Sequence, residues 1–228
     1  MLFDQLHLVA MDKDAIHRVM ALLREDCCQW ATPAVTVVAE QMRNPFTVLI
    51  SCIISLRTKD AVTAAASARL FEQACSPGPM LDLSEEEIAS LIFPAGFYRT
   101  KARQIRAICQ TLLDQFDGRV PDEIDQLLLL KGVGRKTANL VITLGYGKPG
   151  ICVDTHVHRI TNRWGYVATR TPEQTETALR LCLPLEHWIE INDLLVCYGQ
   201  HRCLPVSPYC SLCRLWPWCD RVGVERSR

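Results

Sequence analysis

Apolar residues recur at steps of three and four along most of the chain, which is the spacing of one face of an α-helix. Clear examples are Ile16, Val19, Met20 and Leu23; Phe46, Leu49, Ile50 and Ile53; and Ile105, Ile108 and Leu112. The pattern predicts an all-α protein whose core is made from these faces.

Residues that favour helix ends divide this pattern into short helices. A capping residue followed by a favourable first turn predicts helix starts at Asn44-Pro45, at Ser84 with Glu87, and at Thr171-Pro172. Residues that interrupt helices predict stops at Pro33, Pro94, Gly118, Gly145 to Gly150, Pro184 and Gly199.

The segment Leu130-Lys131-Gly132-Val133-Gly134 joins two predicted helices, 121–129 and 135–144. Glycines permit positive φ and expose backbone N–H groups, and such a nest at a helix N-terminus suits a phosphate. An ordinary helix–turn–helix corner explains the same two glycines, so both interpretations stay open. The inward faces are predicted to be Ile124, Leu127 and Leu128 on the first helix, and Ala138, Val141 and Ile142 on the second.

Arg135 and Lys136 fall in the first turn of the second helix, where the helix dipole disfavours each cation by roughly 0.3–1 kcal/mol. A bound anion would reverse that penalty. The turn-rich stretch 145–150 and an extended 151–154 can then bring Asp154 back beside Lys136.

Asp154 precedes a helical pattern formed by Val157, Ile160 and Trp164, so it is predicted to be an N-cap. A cap would hold the carboxylate in place and is compatible with a catalytic role. Polar residues on the same helix are interpreted either as solvated surface or as phosphate contacts: His156, His158, Arg159 and Arg163.

Composition limits the classes of protein to be considered. An apolar share of 49% supports a packed core, whereas 25 basic against 25 acidic residues give no electrostatic argument for nucleic acid. The longest apolar run, Val48 to Leu56, is too short to cross a bilayer, and Met1 to Asp4 lacks the basic start of a signal peptide. We expect no membrane association and a cytoplasmic location, near the nucleoid if the source is bacterial.

Twelve cysteines are many for 228 residues, and four of them lie in one proline-rich segment. Six, two and five residues separate Cys203, Cys210, Cys213 and Cys219, which predicts a four-thiolate metal site. Zinc and a [4Fe–4S] cluster both accept four thiolates, and the single short Cys-x-x-Cys pair favours the cluster, in a structural role. Other cysteines, including Cys27, Cys28, Cys52 and Cys197, are predicted to be packing residues.

The hairpin, the segment Val153-Asp154-Thr155-His156-Val157-His158-Arg159 and the cysteine loop together resemble the endonuclease III family of helix-hairpin-helix DNA glycosylases. The resemblance extends from Asn44 to Cys219, and it leaves out about the first dozen residues. It includes Asn44-Pro45-Phe46 and the stretch from Gly96-Phe97-Tyr98 to Lys101-Ala102.

The resemblance implies two helical domains with a DNA-binding cleft between them. A six-helix barrel domain with the helix-hairpin-helix would span 38–148, and an iron–sulfur cluster domain would combine 1–37 with 149–228. Lys136 would be the Schiff-base lysine, Asp154 the essential aspartate and the four cysteines the [4Fe–4S] ligands. The DNA contacts would be Arg57, Gly132, Val133, Gly134, Arg135 and His156.

Two positions depart from the family pattern. Where the family typically has glutamine, inserted into the gap left by the extruded nucleotide, the segment Ser55 to Asp60 carries Arg57. Arg57 could fill the gap by stacking or contact a backbone phosphate, and the sequence favours neither. Lys131 stands where the family commonly has proline.

The implied function is a monomeric, bifunctional DNA glycosylase and AP lyase that removes oxidised or saturated pyrimidines from duplex DNA. One alternative is a monofunctional thymine or adenine mismatch glycosylase on the same scaffold, in which water replaces the amine. The other is a helix-hairpin-helix DNA-binding module without catalysis, which would not require the pair of Lys136 and Asp154.

Overall fold

The computed structural model describes residues 13–228, and this part of the chain is helical and contains no strand. The all-α prediction is therefore confirmed. The segment Met1 to Asp4, on which the expectation of no signal peptide rests, lies outside the described residues.

In chain order, the α-helices are α1 (Lys13–Cys27), α2 (Ala34–Met42), α3 (Pro45–Ser55), α4 (Asp60–Gln73), α5 (Pro77–Asp82), α6 (Glu85–Ile92), α7 (Tyr98–Phe116), α8 (Ile124–Leu127), α9 (Arg135–Leu140), α10 (Thr155–Arg163), α11 (Pro172–Cys182) and α12 (Ile191–His201). A π-helical turn, Val141–Gly145, continues α9. Short 3₁₀ turns cover Leu185–His187, Cys210–Leu212 and Trp216–Trp218.

The chain forms two compact units. The central unit is 33–150, and the terminal unit combines the described residues up to Thr32 with 151–228. None of the helices in 13–228 has the length and apolar character of a membrane span.

Each unit has its own apolar core. In the central unit, the predicted inward faces of α3 and α7 are buried, including Leu49, Ile53, Ile105 and Ile108. In the terminal unit, α1 packs its predicted face on α10 and α12 in a cluster that includes Ile16, Met20, Val157, Ile160 and Leu195. The three- and four-residue spacing thus identified the core correctly.

The predicted helix starts are also correct. Asn44 caps α3 by accepting from the Phe46 N–H, and Thr171 caps α11 by accepting from the Gln174 N–H. Ser84 and Glu87 form a reciprocal capping box at α6.

The predicted stop at Gly199 is wrong, because Gly199 lies inside α12. A Cβ at this position would collide with the His156 ring and the Arg159 guanidinium, both on α10. Glycine at position 199 therefore allows α12 to pack closely against the side chains of α10.

Three smaller expectations are corrected. The first hairpin helix is only the four residues of α8, and Leu128, expected inward, is exposed. Leu127 is buried as predicted, and Leu130 and Val133 also bury their side chains. Cys28, expected to pack inside, is exposed.

Candidate active site

The turn between α8 and α9 is held by its own backbone and by a side chain from α7. Gly132 has a φ of +74°, and a Cβ there would meet the side chain of Gln104. The Gln104 Nε2 donates to the Lys131 carbonyl at 2.9 Å, and the Val133 amide donates to the Leu130 carbonyl at 3.0 Å. The turn is therefore a braced structure in which only glycine fits at position 132.

The start of α9 is open to solvent. Gly134 is its N-cap, and a Cβ at Gly134 would meet nothing within 4 Å. Arg135 and Lys136 are exposed, whereas the next residues, Thr137 and Ala138, are buried and fix the rotation of the helix. Lys136 therefore sits on the solvent side of the first turn, two residues after the glycine cap.

Asp154 belongs to the terminal unit and caps α10 as predicted. Its Oδ1 accepts from the His156 N–H at 2.8 Å and from the Val157 N–H at 2.9 Å. Val157 is fully buried, so the first turn of α10 is fixed to the core. The carboxylate is consequently held in one orientation by the backbone.

The other polar side chains of α10 have different roles. His158 Nδ1 lies 2.6 Å from the Thr175 hydroxyl of α11, and the Arg159 Nη2 donates to the Cys203 carbonyl at 2.9 Å. Arg163 is only 8% exposed and donates to the carbonyls of Leu204 and Pro205, both at 2.7 Å.

The phosphate interpretation is therefore wrong for Arg163, which holds the start of the cysteine loop to α10. His156 lies against Gly199, with its Nδ1 3.1 Å from the Arg159 Nη2.

The cysteine loop brings the four predicted thiol ligands near one another. Burial raises the pKa of Cys210, Cys213 and Cys219, in the last case to about 12, and neighbouring cysteine sulfurs raise each of them further. The Arg163 Nη1 lies 3.3 Å from the Cys203 Sγ, and the Tyr198 hydroxyl lies 3.1 Å from the Cys213 Sγ. Four clustered sulfurs of this kind favour a bound cation that would compensate thiolate charge.

The spacing of these sulfurs bears on the choice of metal. Tetrahedral zinc with Zn–S bonds of about 2.3 Å holds its sulfurs about 3.8 Å apart. Among residues 13–228, no three of the four cysteine sulfurs form a group within 4.8 Å of one another. In any three of these thiols, at least one pair is therefore further apart than two ligands of a single tetrahedral zinc ion.

Arg57 occupies a tight turn between α3 and α4 with a φ of +52°. Its guanidinium carbon lies 5.7 Å from the ring centre of Phe97, an exposed residue that immediately precedes α7. A Cβ at Gly96 would collide with the Arg57 carbonyl, and the Gly96 N–H donates to the Thr58 hydroxyl at 3.1 Å. The turn that carries Arg57 is therefore packed against the start of α7.

Lys101 completes this arrangement. It is 4% exposed, and its Nζ donates to the Ile54 carbonyl at 2.7 Å, the Leu56 carbonyl at 2.6 Å and the Thr58 hydroxyl at 2.8 Å. Burial lowers the pKa of Lys101 to about 8.

The stretch from Gly96 to Lys101 was predicted only as part of the family resemblance, and no role was predicted for Lys101. The one local signal was a lysine four residues before the inward-facing Ile105, on the same face of the predicted helix.

The predicted site residues are divided between the two units. Arg57, the hairpin residues and Lys136 belong to the central unit, whereas Asp154, His156 and the four cysteines belong to the terminal unit.

Residues 50–184 match the HhH-GPD superfamily of base excision DNA repair proteins. The chain is 47% identical over 177 residues to an endonuclease III of Thermotoga maritima, covering 78% of this chain and 83% of the relative. It is 35% identical over 177 residues to the endonuclease III of Escherichia coli, with 78% and 84% covered. A Bos taurus endonuclease III-like protein 1 is 43% identical over 171 residues; this match covers 74% of the chain but only 56% of the longer bovine protein.

Solved structures agree with these relatives. A trapped covalent intermediate of endonuclease III with DNA superposes with a TM-score of 0.73 at 36% identity, covering 78% of this chain and 84% of that one. A thermostable thymine-DNA glycosylase superposes with a TM-score of 0.71 at 23% identity, covering 82% and 93%, and therefore shares the fold.

Proposed function

Because the chain belongs to the endonuclease III family of HhH-GPD base excision DNA repair proteins and is thus a DNA glycosylase and AP lyase, we propose that Lys136 and Asp154 perform its chemistry. The proposed substrate is an oxidised or saturated pyrimidine in duplex DNA. The exposed position of Lys136, two residues after the glycine cap of the hairpin, is the observation that supports this most strongly.

The reaction begins once the damaged nucleotide has left the base stack, which costs a few kcal/mol. The Lys136 Nζ attacks C1′, the bond from C1′ to the base nitrogen breaks, and the base leaves with the electron pair and takes up a proton. Opening of the sugar ring gives an imine between Nζ and C1′. Loss of a C2′ proton then expels the 3′ phosphate by β-elimination, and water releases the lysine.

Asp154 has two parts in this scheme. Its negative charge stabilises the positive charge that develops on the sugar, and it assists removal of a proton from the attacking amine. The two backbone N–H groups that bind its Oδ1 orient the carboxylate before the substrate arrives, which lowers the cost of reorganisation during the reaction.

The hairpin positions the DNA in this proposal. A phosphate at the start of α9 would accept hydrogen bonds from the N–H groups of Gly132 and Gly134 and would lie close to the positive charge of Arg135. The negative charge of the phosphate would offset the unfavourable interaction of Arg135 with the helix dipole. Because the Val133 amide donates to Leu130, the role of Val133 is to anchor the turn by its buried side chain. His156, which belongs to the terminal unit, would contact the DNA backbone.

Arg57 is proposed to fill the gap left by the extruded nucleotide, since its turn is supported by Lys101, Thr58 and Gly96. In Arg57→Ala, cleavage rates should then depend less on the base opposite the lesion, with an unchanged salt dependence of DNA binding. A fall of about one in the slope of log affinity against log salt would instead identify a phosphate contact.

A [4Fe–4S] cluster fits the wide cysteine loop, and Cys203, Cys210, Cys213 and Cys219 would hold it. The cluster would supply structural cross-linking of residues 203–219. Arg163 and Tyr198 contact two of the sulfurs and attach the loop to α10 and α12. Iron analysis should find about four iron atoms per chain, and stoichiometric zinc without iron would refute the assignment.

The proposed chemistry is tested by product analysis on a duplex that contains thymine glycol. The wild type should release the base and cut the strand together, and Lys136→Ala should do neither. Lys131→Ala is the matched control, because it removes an exposed lysine from the same hairpin and should retain both activities.

Base release without strand cleavage by the wild type would indicate a monofunctional glycosylase and refute the lyase mechanism. Tight DNA binding without release of any damaged base would indicate a non-catalytic module.

A further inference from the structure

Three side chains of the terminal unit converge at a place that the proposed chemistry does not use. His17 lies on α1, and Glu186 and His187 lie on the 3₁₀ turn between α11 and α12. One nitrogen or oxygen atom from each side chain lies within 4.8 Å of the others, and among residues 13–228 no other group of three or more His, Cys, Asp or Glu meets this criterion.

Two of the three distances between these atoms are close to those in a first-row metal site, and the third is within 4.8 Å. The His17 Nδ1 is 2.9 Å from the His187 Nε2 and 3.5 Å from the Glu186 Oε1. Zinc–nitrogen and zinc–oxygen bonds of about 2.0–2.1 Å place tetrahedral ligands about 3.3 Å apart. The two distances lie on either side of this value, so only small side-chain shifts are needed to seat an ion.

The side chains behind His187 also have the arrangement that supports metal ligation. The other ring nitrogen of His187, Nδ1, lies 2.7 Å from the Glu190 Oε1. Glu190 is itself held by Arg24, whose Nη2 and Nε donate to its two oxygens at 2.6 and 2.8 Å. A histidine that donates one N–H to a carboxylate presents the lone pair of its other nitrogen, and metal-binding histidines are usually supported in this way.

Burial makes His187 the fixed member of the group. The His187 side chain is 4% exposed, whereas those of His17 and Glu186 are 45% and 64% exposed. An ion can therefore enter from solvent and meet a pre-oriented nitrogen, and the two exposed ligands can adjust to it. Water would occupy the fourth position.

We propose that His17, Glu186 and His187 form a second metal site, separate from the cysteine loop, that takes a divalent first-row ion such as zinc. Two imidazoles and one carboxylate suit this class of ion better than calcium or magnesium, which prefer oxygen ligands. The ion would join α1 to the connection between α11 and α12, and its role would be to stabilise the terminal unit.

The test uses the full chain, purified with its cysteine centre intact and equilibrated with zinc alone. After removal of loosely bound metal, the wild type should retain one zinc atom more than His17→Ala or Glu186→Gln, both of which change exposed side chains. Glu40→Gln is the matched control, because it removes an exposed carboxylate from α2 and should retain the wild-type zinc content. Glu190→Gln should weaken zinc binding about 10- to 100-fold.

X-ray absorption at the zinc edge identifies the atoms that bind the additional zinc, which a measurement of zinc content cannot do. The additional zinc should have nitrogen and oxygen neighbours at about 2.0–2.1 Å. Sulfur neighbours at about 2.3 Å would place it on cysteines and overturn the proposal. Equal zinc contents in the wild type and the two exposed-ligand variants would also overturn it, and would leave the two imidazoles as a hydrogen-bonded pair.

Discussion

Replacing Lys101 with methionine should destabilise the protein and disturb the turn that carries Arg57. Methionine keeps most of the buried aliphatic volume but removes the ammonium that donates to Ile54, Leu56 and Thr58. The Ile54 carbonyl is buried, so water cannot readily replace the lost donor there.

The magnitude follows from two opposing effects. Hydrogen bonds from a charged donor contribute roughly 2 kcal/mol each, or about 6 kcal/mol for the three made by Lys101. Burial of the ammonium, which also lowers the pKa of Lys101 to about 8, offsets part of this contribution. The part that methionine cannot replace is the donor to the buried Ile54 carbonyl, so we expect Lys101→Met to lose about 1–3 kcal/mol of unfolding free energy at pH 7.

The pH dependence has a defined sign. Between pH 8 and 10.5 the unfolded chain keeps the Lys101 proton while the folded protein releases it, so the unfolded state binds more protons. The unfolding free energy of the wild type should therefore rise with pH in this window, relative to that of Lys101→Met. Below pH 8 both states of the wild type are protonated at Lys101, and the difference between the two proteins should be constant.

Urea unfolding at pH 7 and pH 10 measures both effects, with single-turnover cleavage as the functional readout. Lys59→Met is the control, since it removes an exposed lysine beside the same turn and should change stability by less than about 0.5 kcal/mol. A loss below about 1 kcal/mol in Lys101→Met, with wild-type cleavage, would refute the role given to Lys101.

Three further pairs of substitutions test separate parts of the structure. Asp154→Asn should keep the α10 cap and near wild-type stability but lose cleavage, whereas Asp154→Ala should also lose about 1 kcal/mol in urea unfolding; equal stability of the two would contradict the cap. Gly134→Ala has room for its Cβ, so the protein should lose little stability, but the added methyl should weaken DNA binding in a fluorescence titration. Gly132→Ala should lower both the stability and the DNA affinity. Gly199→Ala should lower the unfolding free energy by about 1–3 kcal/mol, and Gly78→Ala, where a Cβ meets nothing within 4 Å, should not.

Features that depend on short stretches of sequence were predictable. The inward faces of α3 and α7, the caps at Asn44 and Ser84, and the cap at Asp154 all follow from residues within about one helical turn of each other. The catalytic assignments depended on the resemblance, because an exposed lysine after two glycines has no distinctive pattern of its own.

Features that depend on distant residues could not be predicted. Gly199 looked like a helix stop, and only the approach of His156 and Arg159 shows why a glycine lies within α12. Lys101 donates to carbonyls more than 40 residues earlier in the chain, and His17 contacts His187 although most of the chain separates the two residues. Periodicity and capping rules contain no information on such contacts.

Identification of the residue joined to DNA tests the central claim most directly. The wild type should be mixed with thymine glycol duplex and borohydride, which reduces the imine to a stable bond, and the adduct should then be digested and sequenced by mass spectrometry. We predict one DNA-modified peptide, with the modification on Lys136. Modification of another residue, or an undiminished adduct in Lys136→Ala, would contradict the assignment of Lys136 as the nucleophile.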